Sequence, residues 1–79
     1  MSHTKDEKYL LALYDIASAT GDPQTECDIY AIGNRLGLHE NTVNNIVKLL
    51  AQTNFIKKKG GNLVALTDHG LRLIESLRG

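Results

Sequence analysis

The amino-acid sequence predicts a mainly α-helical fold in which three helices are followed by a small β-hairpin and a C-terminal helix. Apolar residues recur at helical spacing in four segments, which predicts four helices that each bury one face. Residues 55–59 and 63–66 flank Gly60-Gly61-Asn62, and this is the spacing of a tight hairpin whose turn needs positive φ. The sequence contains no internal repeat and no low-complexity linker that would interrupt this order.

The length and composition predict a single small domain spanning residues 1–79. Of the 79 residues, 42% are apolar, which is enough for one core without a disulfide or a metal. Cys27 is the single cysteine, so an internal disulfide is excluded and no zinc framework is present. We therefore expect no cofactor. The polar N-terminus and the lack of a long apolar run predict a cytoplasmic protein with no membrane partner.

Helix one is predicted from about residue 5 to residue 19. Thr4 and Glu7 have the spacing of a capping box, in which each side chain binds a backbone N–H group at the start of the helix. Gly21 supplies the stop. The apolar face is broad and consists of Tyr9, Leu10, Leu13, Tyr14, Ile16 and Ala17, with Leu11 further round. Such a face fits either a central helix with two neighbours or a helix that also takes part in a dimer.

Helix two is predicted to be short and to end at Gly37. Its cap is either Thr25, paired with Asp28, or Asp28 itself. Its apolar positions are Ile29, Ile32 and Leu36. Gly33 lies inside the helix, where it costs about 1 kcal/mol relative to Ala. Close approach of the following helix would be a physical reason for this glycine, and the alternative is a glycine that the helix tolerates without such a reason.

Helix three is predicted to begin after His39 or Glu40 and to end at about Thr53. Asn54 follows, and Asn accepts the left-handed conformation that ends a helix nearly as well as Gly does. The apolar stripe consists of Val43, Ile46, Val47 and Leu50. The opposite face, within an arc of about 100°, consists of Asn41, Asn44, Asn45, Lys48 and Gln52.

The outer face of helix three is richer in asparagine than helix propensity favours. Asn costs up to ~0.7 kcal/mol relative to Ala in a helix interior, so Asn44 and Asn45 together cost roughly 1 kcal/mol. A carboxamide can accept a hydrogen bond from adenine N6 and donate one to adenine N7. This face is therefore suited to base readout in the DNA major groove. A face that only contacts solvent is the alternative.

Helix four is predicted to begin after Thr67, whose hydroxyl can cap it, with Asp68 at its positive end. Its broad apolar arc consists of Leu71, Leu73, Ile74 and Leu77. The helix is predicted to continue to Arg78.

Charge is distributed unevenly along the chain, although the net charge is zero. Residues 1–36 hold three basic and six acidic residues, whereas residues 37–67 hold four lysines and a single acid, Glu40. The positive part coincides with helix three and the hairpin, as a phosphate-facing surface requires. Lys57, Lys58 and Lys59 also discourage edge-to-edge aggregation. Because strand side chains alternate, we expect two of these three lysines to reach one DNA backbone.

The order of helix, helix, turn, helix and hairpin resembles the winged helix-turn-helix. Residues 32–38 look like its second helix and turn, and residues 41–50 look like its recognition helix. Residues 66–71 are similar to the step from strand to helix after the wing in MarR-like bacterial and archaeal transcriptional regulators. The resemblance implies sequence-specific binding of double-stranded DNA. It implies major-groove contacts from Asn41, Thr42, Asn44, Asn45 and Lys48, and wing contacts from Lys57, Lys58, Lys59 and Asn62.

Helix three departs from this family in one respect. Many relatives carry Arg at the position of Asn45, whereas helix three of this chain has no arginine. We therefore expect weaker guanine readout and weaker phosphate affinity than the family suggests.

The sequence contains no recognisable catalytic motif. His3, His39 and His69 lack paired metal-ligand spacing, and there is neither a Gly-rich phosphate loop nor a Ser or Cys nucleophile motif. We therefore expect a protein that is not an enzyme. The alternative to DNA binding is a winged-helix module for protein–protein interaction, which Leu49 and the broad apolar faces of helices one and four favour. A homodimer, if one forms, is expected to use helix one or helix four.

Overall fold

The computed structural model describes residues 3–78, and it has four helices and a three-stranded sheet in this range. The elements in chain order are α1 (Lys5–Ser18), β1 (Cys27–Asp28), α2 (Ile29–Leu36), α3 (Glu40–Gln52), β2 (Ile56–Gly60), β3 (Leu63–Leu66) and α4 (Asp68–Arg78). The predicted mainly helical fold, with a hairpin between the third and fourth helices, is confirmed. Each helix in this range is too short or too polar to cross a lipid bilayer.

Strand β1 was not predicted from the sequence. The sequence indicated only a helix cap at Thr25 or Asp28 in this region, but Cys27 and Asp28 pair antiparallel with Val64 and Leu63 of β3. The sheet order is β1-β3-β2. Two residues are too few to show an alternating pattern, so this strand depends on the pairing edge that β3 offers.

The helix ends follow the signals in the sequence. The capping box of α1 is present, with the Thr4 hydroxyl accepting from Glu7 N at 3.2 Å and the Glu7 carboxylate accepting from Thr4 N at 2.8 Å. Asp28 is the cap of α2, which decides between the two predicted caps. Gly37 (φ 70°) and Asn54 (φ 66°) adopt the left-handed conformation after α2 and α3, respectively.

Helix α1 is the centre of the molecule and packs against α2, α3 and α4. Leu10 and Leu13 are buried on it, as is Tyr9, whose hydroxyl donates to the Ile29 carbonyl at 2.8 Å. Burial raises the pKa of the Tyr9 hydroxyl above its usual value, and the nearby Asp28 carboxylate adds to this shift. The central position accounts for most of the broad apolar face that the sequence shows in this helix.

Gly33 is a point of close contact between α2 and α3. It is buried, and a Cβ atom built on it would overlap the Cγ2 methyl of Val43. Val43 is itself fully buried and β-branched, so its methyl group cannot turn away freely. The predicted packing reason for a glycine inside helix two is therefore confirmed.

Replacing Gly33 by Leu should destabilise the fold by about 1 to 3 kcal/mol, because the added side chain overpacks a core that has no room for it. The measurement is urea unfolding of Gly33→Leu and of a matched control, Ala31→Leu, which adds a leucine at an exposed position of the same helix. The control should unfold close to the wild type. A Gly33→Leu variant that is as stable as the wild type would show that the contact tolerates a side chain.

Candidate nucleic-acid interface

Helix α3 separates its apolar and polar faces as the periodicity predicts. Val43, Ile46, Val47 and Leu50 are buried against the core. The outer face is exposed and consists of Asn41, Asn44, Asn45, Lys48 and Gln52. Thr42 is half-buried at the edge of this face. The helix therefore presents four carboxamides and one ammonium group to solvent.

The hairpin directs its lysines to both sides of the sheet. Ile56 is buried, and Lys58 lies two residues further along β2, on the same side of the strand. Lys57 and Lys59 lie on the other side. Lys58 pairs with Val64 while Gly60 pairs with Leu63, so Lys59 is the extra residue of a bulge. The predicted division of the three lysines between two sides is therefore observed.

A groove of about 370 Å³ lies between α3 and the hairpin. Four of the nine predicted site residues line it, namely Asn44, Lys48, Lys58 and Asn62. Its apolar part comes from Ile29, Val47, Leu63 and Val64. Two residues of α3 and two of the hairpin thus meet at one surface, although the nearest members of the two pairs are ten residues apart in sequence.

The other five predicted residues lie outside this groove. Asn41, Thr42 and Asn45 are on α3 next to it and do not line it. Lys57 and Lys59 line a separate cleft of about 360 Å³ with Gln24, Thr67 and Asp68. All three lysines lie on β2, and Lys58 lines a different surface from Lys57 and Lys59.

Tyr30 is a residue of this region that the sequence prediction missed. It is half-buried on α2, and its hydroxyl donates to Asn44 Oδ1 at 2.9 Å. Tyr30 precedes Gly33 by three residues, which places both on the side of α2 that faces α3. That spacing is the signal in the sequence that could have identified it.

The hairpin is attached to α2 at its tip. Ile29 N donates to the Asn62 carbonyl at 2.9 Å, at the first residue of α2. The same residue receives the Tyr9 hydroxyl on its own carbonyl. The start of α2 is therefore held by α1 on one side and by the hairpin on the other.

The base of the hairpin is held by Thr67. The Thr67 hydroxyl is within donating distance of two carbonyl oxygens, at 2.6 Å from that of Asn54 and 3.2 Å from that of Phe55. It also accepts a hydrogen bond from Gly70 N at 3.0 Å. The predicted cap of helix four is confirmed. A Cβ atom on Gly70 would overlap the Phe55 carbonyl oxygen, so this glycine lets α4 begin directly against the strand. The His69 ring stacks on Phe55 with 4.7 Å between centroids.

The lysines of the groove have no acidic partner. Within residues 3–78, the one acid–base pair closer than about 4 Å is His3 with Glu7, at 4.0 Å. Lys48 and Lys58 are exposed. Their charges are therefore available to an anionic ligand.

Residues 3–78 contain no cluster of three or more His, Cys, Asp or Glu side chains that could hold a metal ion. Cys27 is buried, and burial raises the pKa of its thiol.

Two solved structures share this arrangement. Sco5413, a MarR family transcriptional regulator from Streptomyces coelicolor, superposes with a TM-score of 0.74 and 26% sequence identity over 92% of this chain. The chain has a winged helix-turn-helix fold. The PcaV transcriptional regulator from Streptomyces coelicolor, solved with its natural ligand, gives a TM-score of 0.70 and 24% identity over 96% of this chain.

The resemblance to MarR-like winged helix-turn-helix regulators that the sequence indicated is therefore confirmed at the level of structure. The chain spans 49% of the length of Sco5413 and 53% of the length of PcaV. Neither the protein-family models nor the curated protein sequences give a match. By the naming convention of this fold, α2 and α3 are called the helix-turn-helix, α3 is called the recognition helix, and β2 and β3 with their turn are called the wing.

Proposed function

We propose that this chain binds double-stranded DNA with sequence preference and acts as part of a transcriptional regulator. The observation that carries the proposal is the groove between the recognition helix and the wing, where Asn44, Lys48, Lys58 and Asn62 meet. Hydrogen-bonding amides and unpaired ammonium groups on one exposed surface suit a ligand that offers base edges beside phosphates. The structural similarity to Sco5413, a transcriptional regulator, supports the same function.

The recognition helix supplies the proposed base contacts. A major groove about 12 Å wide admits one α-helix, and α3 has its apolar face in the core and its polar face exposed. Asn41, Thr42, Asn44 and Asn45 read base edges in this arrangement. Lys48 lies one turn after Asn44 and Asn45, towards the wing, and binds at the edge of the major groove.

The wing supplies the proposed phosphate contacts. Lys58 and Asn62 face the groove beside α3 and contact the backbone nearest the recognition helix. Lys57 and Lys59 lie on the other side of the hairpin and contact phosphates further along the same duplex. Each lysine acts as a point charge, so these contacts add affinity without base preference.

Replacing Asn45 by Ala should weaken binding to a preferred site by about 1 to 3 kcal/mol and have much less effect on unrelated duplex, because a base contact stabilises the complex only where the right base is present. The preferred site is first enriched from a random duplex pool by the wild-type chain. Fluorescence anisotropy titrations on this duplex and on its scrambled version then measure both affinities.

The control for this variant is Asn34→Ala, which removes an exposed asparagine from α2. Alanine has the higher helix propensity at both positions, so a loss of binding cannot be attributed to a weakened helix. Equal losses on the two duplexes for Asn45→Ala would mean that the residue adds adhesion without base preference. No binding of the wild-type chain to either duplex at low salt would reject DNA binding and favour a protein partner.

Replacing Lys58 by Ala should weaken binding to both duplexes equally, because phosphates are present in every sequence. The slope of log K against log salt should fall by roughly 0.9, because the variant neutralises one phosphate fewer. The same titrations at three or more salt concentrations measure the slope. Arg72→Ala, which removes one positive charge from α4, should leave the slope unchanged. An unchanged slope for Lys58→Ala would place the phosphate contact elsewhere.

Self-association through α1 or α4 stays a prediction. These helices carry apolar residues that are only partly buried at the margin of the core, namely Leu11, Tyr14 and Ile16 on α1 and Leu71 and Leu73 on α4. A two-fold dimer would present two recognition helices to half-sites about one helical turn apart.

Sedimentation at micromolar concentration should therefore show a dimer that Leu11→Ser dissociates, because the substitution removes apolar area from the contact. Leu49→Ser on the recognition helix is the control and should leave the dimer intact. A monomer in the presence and absence of DNA would exclude this mode of association.

A further inference from the structure

The hydrogen bond between Tyr30 and Asn44 joins α2 directly to the outer face of the recognition helix. The Tyr30 hydroxyl donates to Asn44 Oδ1 at 2.9 Å. The Tyr30 ring is packed against the core, so the donor is held in place. Asn44 is exposed and lines the groove beside the wing. A side chain on the ligand-facing surface is thus restrained by a residue that lies behind it.

We propose that Tyr30 is a positioning residue, which orders the Asn44 carboxamide for base recognition before any DNA is bound. The proposal rests on the proposed function, because it concerns how one residue of the DNA site reads a base. An exposed Asn samples several rotamers and must give up this freedom to make a directed hydrogen bond. The bond from Tyr30 removes part of that freedom in the free protein, so less is lost on binding.

Asn45 provides a comparison within the same helix. It is exposed like Asn44, and it makes no side-chain hydrogen bond to any other residue in the range 3–78. The two adjacent asparagines therefore differ in one respect that bears on binding, since one is restrained and the other is free. Tyr30 should influence the contribution of Asn44 and leave that of Asn45 unchanged.

Tyr30 binds the side-chain oxygen of Asn44, which affects the kind of base edge that Asn44 can recognise. An amide oxygen has two lone pairs, and the phenol takes one of them. The two N–H donors of Asn44 remain without a partner in the range 3–78. Asn44 is therefore a better donor than acceptor in the free protein, and purine N7, guanine O6 and thymine O4 are the major-groove acceptors that match it.

The test is a double-mutant cycle with Tyr30→Phe, which keeps the ring and removes only the hydroxyl. On the duplex selected by the wild-type chain, Tyr30→Phe should weaken binding by about 3- to 10-fold, as expected for the loss of one ordering hydrogen bond. It should have no further effect in the Asn44→Ala background. In the Asn45→Ala background its effect should persist at full size. On scrambled duplex it should have no effect in any background.

Two controls separate positioning from other roles. Asn34→Ala removes a hydrogen-bonding side chain from an exposed position of the same helix as Tyr30, and it should bind both duplexes like the wild type. In the free protein, NMR should show the side-chain amide signals of Asn44 shifting in Tyr30→Phe, while those of Asn45 stay in place. Urea unfolding of Tyr30→Phe and Asn34→Ala checks that both variants remain folded.

Each result bears on the proposal directly. Equal losses on selected and scrambled duplex, or a full loss in the Asn44→Ala background, would show that the Tyr30 hydroxyl contacts phosphate itself, which overturns the positioning role. No loss on the selected duplex also overturns it while leaving DNA binding intact. A wild-type chain that enriches no duplex from the pool rejects the proposed function and the positioning role together.

Discussion

The contact between Gly33 and Val43 is the constraint on which the candidate interface depends. Without a side chain on Gly33, α2 approaches α3 closely enough for a valine methyl to occupy the space of a missing Cβ. Any larger residue would push the helices apart or rotate one against the other. Because α3 is amphipathic, a rotation would move its asparagines relative to the wing. The distance between two helices thus determines which atoms reach the groove.

The first residues of α2 connect α1, the hairpin and α3. Ile29 receives the Tyr9 hydroxyl on its carbonyl and gives its own N–H group to Asn62 at the tip of the wing. One position later, Tyr30 reaches the outer face of α3. A short helix of eight residues therefore joins the central helix, the wing and the recognition helix. Both sides of the groove, α3 and the hairpin, are therefore hydrogen-bonded to α2.

Most of the fold could be predicted from the sequence because its signals are local. Helical periodicity, the capping box at Thr4 and the left-handed positions at Gly37 and Asn54 depend on residues within one or two turns. Gly33 was also informative, since a glycine inside a helix costs free energy that packing must recover. The outward face of α3 followed from the same periodicity, and the exposure of its five polar residues agrees with it.

The features that were missed depend on partners far away in the chain. Strand β1 exists because β3, more than thirty residues later, offers it a pairing edge. Tyr30 and Asn44 lie fourteen residues apart on different helices, and the spacing of Tyr30 from Gly33 indicates the side of α2 on which it lies but does not identify its partner. Gly70 carries no local sign of its role, which comes from the Phe55 carbonyl in the connection between α3 and β2. For the candidate site, the sequence identified the residue types, and the assignment of Lys58 to the groove required the strand orientation.

The way in which the hairpin is held has a consequence for how such a chain can diversify. Its base is fixed by Thr67 and Gly70, and Asn62 ties one side of the tip to α2. Between these attachments, Gly60 and Gly61 are exposed and have open space where a side chain would stand. Insertions between these two glycines would lengthen the loop without disturbing the core or α3. Evolution can therefore vary the reach of this hairpin independently of the helix beside it.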